Sequence, residues 1–186
     1  HASTIYVNSV EGGFYRSSKK AAEDYVEEYK KIHGLNYTIL RFGSLYGQRS
    51  DNTNGVRFIL KEAITKNQVS YTGSRKTTRQ YIHVLDAAEA CADTLKAKYK
   101  NKHIIITGKK EIKMTEFLKN LSKILNISKE ISFKNRKTVG HYEATPYTYK
   151  FKKGQTLKLK SNIDIYSSVL KIIDEIKNEK NFYTYN

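Results

Sequence analysis

The sequence predicts an α/β protein built on a parallel sheet, and three observations predict it. Residues 2–7 form a β-rich run, residues 15–33 carry a helical pattern, and Asn36–Phe42 form a second β-rich run. A strand, a helix and a strand in that order make a βαβ unit, whose two strands lie parallel because the helix carries the chain back across the sheet. A third run, His103-Ile104-Ile105-Ile106-Thr107, is continuously apolar at its centre, as a strand buried on both faces should be.

The elements follow in order. Glu11-Gly12-Gly13 is a turn. In the first helix Ala21, Ala22, Tyr25, Val26, Tyr29 and Ile32 recur at three- and four-residue steps, and Gly34 supplies the left-handed stop. A polar loop over 47–54 precedes a helix over 55–66, and Gln68–Tyr71 is a short strand. Arg79–Val84 is strand-like, with Asp86 placed to cap a helix over 87–96. Gly108 ends the His103–Thr107 strand, Thr115 is placed to cap a helix over 116–125, and Ile131-Ser132-Phe133 is a strand. Asp164 is placed to cap a last amphipathic helix over 165–177, with Val169, Ile172, Ile173 and Ile176 on one side, and residues 181–186 read as a frayed tail.

Composition narrows the class. A chain of 186 residues is one domain or a large piece of a bigger one. No run of 18 apolar residues exists, so no membrane span is expected. The start, His1-Ala2-Ser3-Thr4-Ile5-Tyr6-Val7, has no signal-peptide layout and reads as the exit from a buried strand, as if the chain began in the middle of a fold. A single cysteine, Cys91, excludes an internal disulfide and suits a cytoplasmic setting. The net charge of +16 is uneven: residues 1–98 carry +5 and residues 99–186 carry +11. Such a surface attracts phosphates. Yet 27 Lys against 7 Arg, with no arginine stripe or zinc-finger spacing, favours a solvated lysine surface or a small anionic ligand over nucleic acid.

One local pattern carries chemistry. Tyr15 and Lys19 stand four residues apart at the start of a helix, hence on one face. An ammonium beside a phenol favours the phenolate, which makes a proton donor and acceptor usable near neutral pH. Spacing alone is weak, since about two such pairs are expected by chance from 15 Tyr and 27 Lys. The second pair, Tyr149/Lys153, lies in a stretch with no helical period and reads as that chance match.

Context supports the first pair. The strand Ser3-Thr4-Ile5-Tyr6, then Tyr15-x-x-x-Lys19, then Leu40-Arg41-Phe42-Gly43-Ser44-Leu45-Tyr46-Gly47, then Gly73 through Arg79-Gln80-Tyr81-Ile82-His83-Val84-Leu85-Asp86 occur in one order. Jointly they resemble the extended short-chain dehydrogenase/reductase family, specifically the NAD-dependent sugar-nucleotide epimerases and dehydratases. The resemblance implies the C-terminal part of a Rossmann-like parallel sheet plus a small α/β substrate-binding lobe. Residues 1–98 would be the remainder of the catalytic domain with interleaved lobe elements, and 99–186 the last sheet strand and the substrate cap.

The resemblance also assigns roles. Tyr15 would be the general base, and Lys19 would activate it and bind the ribose of NAD (or NADP). Gly43, Ser44 and Leu45 would pass the cofactor, with Ser44 reaching the substrate. Arg79 would grip the nucleotide diphosphate, and Arg136, with Lys137 and His141, would lie near it. Arg41 and His83 read as structural. Four departures accompany this. The family's Gly-rich cofactor loop is absent from the sequence, which implies poor NAD binding by these residues alone. The strand-end hydroxyl position is Ala2, with Ser3 or Thr4 as substitutes. The usual Asn is Ser44, and the loop before Tyr15 is short. The carboxylates that dehydratases and decarboxylases carry near the strand end are replaced by Ser3 and Thr4, which favours an epimerase, with a reductase next. No metal is implied. A homodimer through the Tyr25, Val26 and Tyr29 face is expected, and a nucleotide-sugar-binding scaffold and a basic nucleic-acid module are the competing functions.

Overall fold

The computed structural model describes residues 1–134 and 154–183. Its centre is a four-stranded, wholly parallel sheet. The strands are β1 (Ala2–Thr4), β2 (Thr38–Phe42), β7 (Lys102–Ile106) and β10 (Gln155–Thr156), in that spatial order. Between β1 and β2 runs α1 (Gly13–His33), so the βαβ unit is present. Gly34 is left-handed at φ 70°, and its N–H caps the Lys30 carbonyl.

The excursion between β2 and β7 contains β3 (Ser44–Tyr46), α2 (Gly55–Lys66), β4 (Ser70–Thr72), β5 (Thr78–Arg79), β6 (Tyr81–His83) and α3 (Val84–Asp93). After β7 come β8 (Ile112–Lys113), α4 (Met114–Ile124), β9 (Ser132–Lys134), and finally α5 (Ile165–Tyr183) beyond β10. Three small ladders link these pieces: β3 with β6 and β4 with β9 are parallel, and β5 with β8 is antiparallel.

Alternation along the strands gives each sheet face its own cover. Leu40, Phe42, Ile104 and Ile106 pack with Ala87 and Ala90 of α3. Ser3, Arg41 and Ile105 share one register on the opposite face, which α1 covers. The largest apolar core lies elsewhere, where Leu60 of α2, Phe117 and Leu121 of α4, and Val169, Ile172 and Ile176 of α5 meet. Gly108, just past β7, lies so close to β6 that a Cβ there would sit 1.9 Å from the Tyr81 carbonyl oxygen. Among the described residues no helix is long and apolar enough to cross a membrane.

Several sequence expectations need correction. The strand over 2–7 stops at Thr4, and residues Ile5–Asn8 form a 3₁₀ turn capped by the Thr4 hydroxyl, which accepts from the Tyr6 amide. Asp86 does not cap α3. His83 does, its Nδ1 accepting from the Leu85 amide, while Asp86 accepts from the Ile163 amide at 2.7 Å and the Ser161 hydroxyl at 2.6 Å. Thr115 does not cap α4: the helix starts at Met114, whose amide donates to the Thr77 carbonyl as the β5–β8 ladder runs into it. Helix α5 continues to Tyr183, secured by Glu175 and Glu179 on the buried Arg57. Asp164 does hold its first turn, accepting from the Ser167 amide at 2.9 Å.

Candidate active site

Helix α1 begins beside the C-terminal end of β1, and its first turns bring the predicted pair there. Tyr15 is 52% exposed, and its ring meets Tyr6 edge-on at 6.2 Å between centroids. Lys19 Nζ stands 6.0 Å from the centre of the Tyr15 ring and donates to the Ala2 carbonyl at 3.1 Å. Phenol and ammonium therefore share one side of the helix, and the phenol is open to approach. An ammonium has three donors, so Lys19 can hold β1 and still offer N–H groups to a ligand.

The strand-end residues divide between the two sheet faces. The hydroxyl of Ser3 is buried and donates to Glu23 Oε1 at 2.5 Å. Thr4, also buried, turns the other way and caps the 3₁₀ turn. Gly43 follows β2 directly and its amide donates to the Ile106 carbonyl, which ties the ends of β2 and β7 together. From there Ser44 and Leu45 enter β3, with Ser44 opposite Tyr81 of β6. Arg79 lies two residues before Tyr81, half-buried in the β5–β8 ladder, with Nη1 donating to the Thr78 carbonyl at 2.8 Å. Arg136, Lys137 and His141 lie outside the described residues, as do Tyr149 and Lys153.

His83 has a structural setting: it is buried, caps α3 and packs edge-on against Tyr46 at 5.2 Å. Burial holds its imidazole below the ordinary histidine value. A groove of about 460 Å³ lined by Glu27, Tyr37, Lys102, His103 and Gln155 opens at the beginnings of β2 and β7, the opposite end from Tyr15. It contains none of the predicted site residues.

Sequence reasoning missed one group at this site. Glu23 is 0% exposed and accepts two bonds from Arg41, at 2.9 Å from Nε and 2.6 Å from Nη2. Its signal was available: it lies four residues past Lys19 and eight past Tyr15, so it continues their stripe.

The NAD dependent epimerase/dehydratase family model matches residues 8–107. A protein of Methanocaldococcus jannaschii assigned as a UDP-glucose 4-epimerase is 26% identical over 167 residues, covering 88% of this chain and 53% of the relative. UDP-glucuronic acid 4-epimerase of Bacillus cereus, solved with UDP-glucuronic acid and NAD, superposes with a TM-score of 0.79 at 20% identity, covering 96% of this chain and 60% of that one. UDP-glucose 4-epimerase of Thermotoga maritima, solved with UDP-glucose, superposes with a TM-score of 0.72 at 20% identity, covering 96% and 62%. The chain thus spans about half the length of the curated relative and about 60% of these solved structures.

Proposed function

The chain belongs to the NAD dependent epimerase/dehydratase family, and on that premise we propose that it forms the proton-transfer and substrate side of an NAD-dependent nucleotide-sugar 4-epimerase. The observation that carries this reading is the half-exposed Tyr15 beside Lys19 at the open end of a parallel sheet. The pair fits a dinucleotide's ribose: Lys19 keeps donors for ribose hydroxyls after bonding Ala2, and Tyr15 beside it is half-exposed. NAD, or NADP, supplies hydride acceptance and return at C4 of the sugar.

The remaining work falls to this chain's residues. Tyr15 Oη takes the proton of the C4 hydroxyl and later returns it. Lys19 favours the phenolate by its charge. Gly43, Ser44 and Leu45 line the cofactor side, Ser44 contacts the sugar nucleotide, and Arg79, with Arg136, binds its diphosphate through fixed guanidinium donors. Thr4, the last residue of β1, or Ser3 before it would supply the strand-end hydroxyl toward the sugar. Residues 1–98 act as the catalytic part with interleaved lobe elements, and 99–186 as the last central strand and substrate cap. The lone cysteine, Cys91, accords with a cytoplasmic setting.

In the intact enzyme, Tyr15→Phe should lower turnover of a UDP-sugar by about 10²–10⁴-fold with the fold unchanged. Full turnover in that variant would overturn the proton role, whereas UDP-sugar binding by calorimetry without turnover in the intact wild-type protein would favour a nucleotide-sugar-binding scaffold.

The outer side of α1 is also open. Tyr25 is 69% exposed and Ile32 70%, with Tyr29 exposed between them. Within the same proposal this face joins two copies of the enzyme through paired helices. Sedimentation velocity at micromolar concentration should show a dimer that Tyr25→Glu/Tyr29→Glu disperses, and a wild-type monomer would remove this part.

A further inference from the structure

The stripe that carries Tyr15 and Lys19 continues through Glu23 and Glu27 at four-residue steps. Each of the last three members bonds to a strand. Lys19 holds β1 through Ala2, Glu23 holds β1 through Ser3 and β2 through Arg41, and Glu27 meets His103 Nε2 of β7 at 2.7 Å. Glu23 also faces His103 Nδ1 at 3.7 Å. One fully buried carboxylate, a single helical turn from Lys19, therefore addresses three successive strands.

Resting on the reading of Tyr15 and Lys19 given above, the geometry points to Glu23 as a positioning residue for the reaction. Held by Arg41, it fixes the rotation and depth of α1 on the sheet, and so fixes where Tyr15 Oη and Lys19 Nζ stand at the strand ends. The physical reason is direction. Apolar contact is non-directional and tolerates slip, whereas a two-point carboxylate–guanidinium contact sets an angle as well as a distance. A proton-transfer group needs placement to a fraction of an ångström, and such placement comes from buried supports whose own geometry is locked. Stability alone is a poor reason for this pair, because apolar residues of similar volume often replace a buried ion pair without loss.

The test uses the intact enzyme with a UDP-sugar and NAD, in two variants. Glu23→Gln keeps the shape and loses the charge, and the paired Glu23→Leu/Arg41→Met removes both charges, so it answers if the single change fails to fold. Each folded variant should show kcat reduced about 10- to 100-fold with KM changed less than about threefold. The acid limb of its pH–rate profile should also be displaced, and amide exchange over residues 14–20 should be faster. A folded variant with wild-type kcat, pH profile and exchange would overturn the assignment. Tyr15→Phe, run alongside, separates the two failures. If that variant keeps full turnover, the proton role falls and the positioning role with it. If it is inactive while Glu23→Gln behaves as wild type, only the positioning role falls.

Discussion

Two interfaces of this molecule hold helices by opposite means. Where α2, α4 and α5 meet, Leu60, Phe117, Leu121, Val169 and Ile172 are sealed from solvent and the centre of the contact is apolar, with Arg57 of α2 paired to Glu175 and Glu179 of α5 beside it. Beneath α1, the buried groups are Ser3, Glu23, Arg41 and His103, with Ile5 and Ile105 as the apolar pair on that side. The first interface gains stability with area and tolerates small shifts. The second gains little from area, and each of its groups depends on its partner. The chain thus places apolar area where a lobe has only to be held together, and directed bonds under the helix that presents Tyr15.

Stability measurements can break this contrast. Phe117→Ala should cost about 3–5 kcal/mol by urea unfolding, through lost transfer energy and a residual cavity. Arg41→Ala should cost a similar amount, about 3–5 kcal/mol, because it strands Glu23 as an unpaired buried charge. A second change then tells them apart. Glu23→Leu combined with Arg41→Met should return near to wild-type stability, whereas Leu121→Ala added to Phe117→Ala should deepen the loss. If the Leu/Met pair stays as unstable as Arg41→Ala, the charged interface contributes ordinary packing and the contrast disappears.

The same contrast explains what the sequence disclosed. The apolar lobe was legible because its information is local: Val169, Ile172, Ile173 and Ile176 announce a helix face by spacing alone. Tyr15 and Lys19 were legible for the same reason, being one helical turn apart. Glu23 was legible only as the next member of that stripe; its role was hidden, because its partners Ser3, Arg41 and His103 lie 20, 18 and 80 residues away in sequence. The short strands β3 and β10 were missed since three- and two-residue pairings have no period to detect. The caps were misassigned because Asp86 and Thr115 suit a cap locally, while Ile163, Ser161 and the β5–β8 ladder arrive from distant parts of the chain. Gly108 read as a strand terminator, and the Tyr81 backbone beside it shows a second, non-local reason for glycine.

The smallest expected effect concerns the proton at the centre of the charged interface. Burial and the Arg41 guanidinium push His103 below the ordinary histidine value, and they outweigh the opposite pull of Glu23 and Glu27. The groups facing its ring from α1 are these two carboxylates, with Arg41 from β2 and the Tyr37 ring edge-on at 6.1 Å. The sign follows. The unfolded chain takes up this proton first as pH falls through about 6.5. His103 therefore supports the fold fully above that pH, and its contribution declines below it, by at most about 1.4 kcal/mol per pH unit for one proton. His83, also held low by burial, acts in the same direction at the start of α3. Wild type should thus lose melting temperature between pH 7 and pH 5, and His103→Gln should lose less over the same interval. An equal loss in both proteins would mean that the histidine is not a titrating member of the network, and that the interface under α1 is tuned by its carboxylates and Arg41 alone.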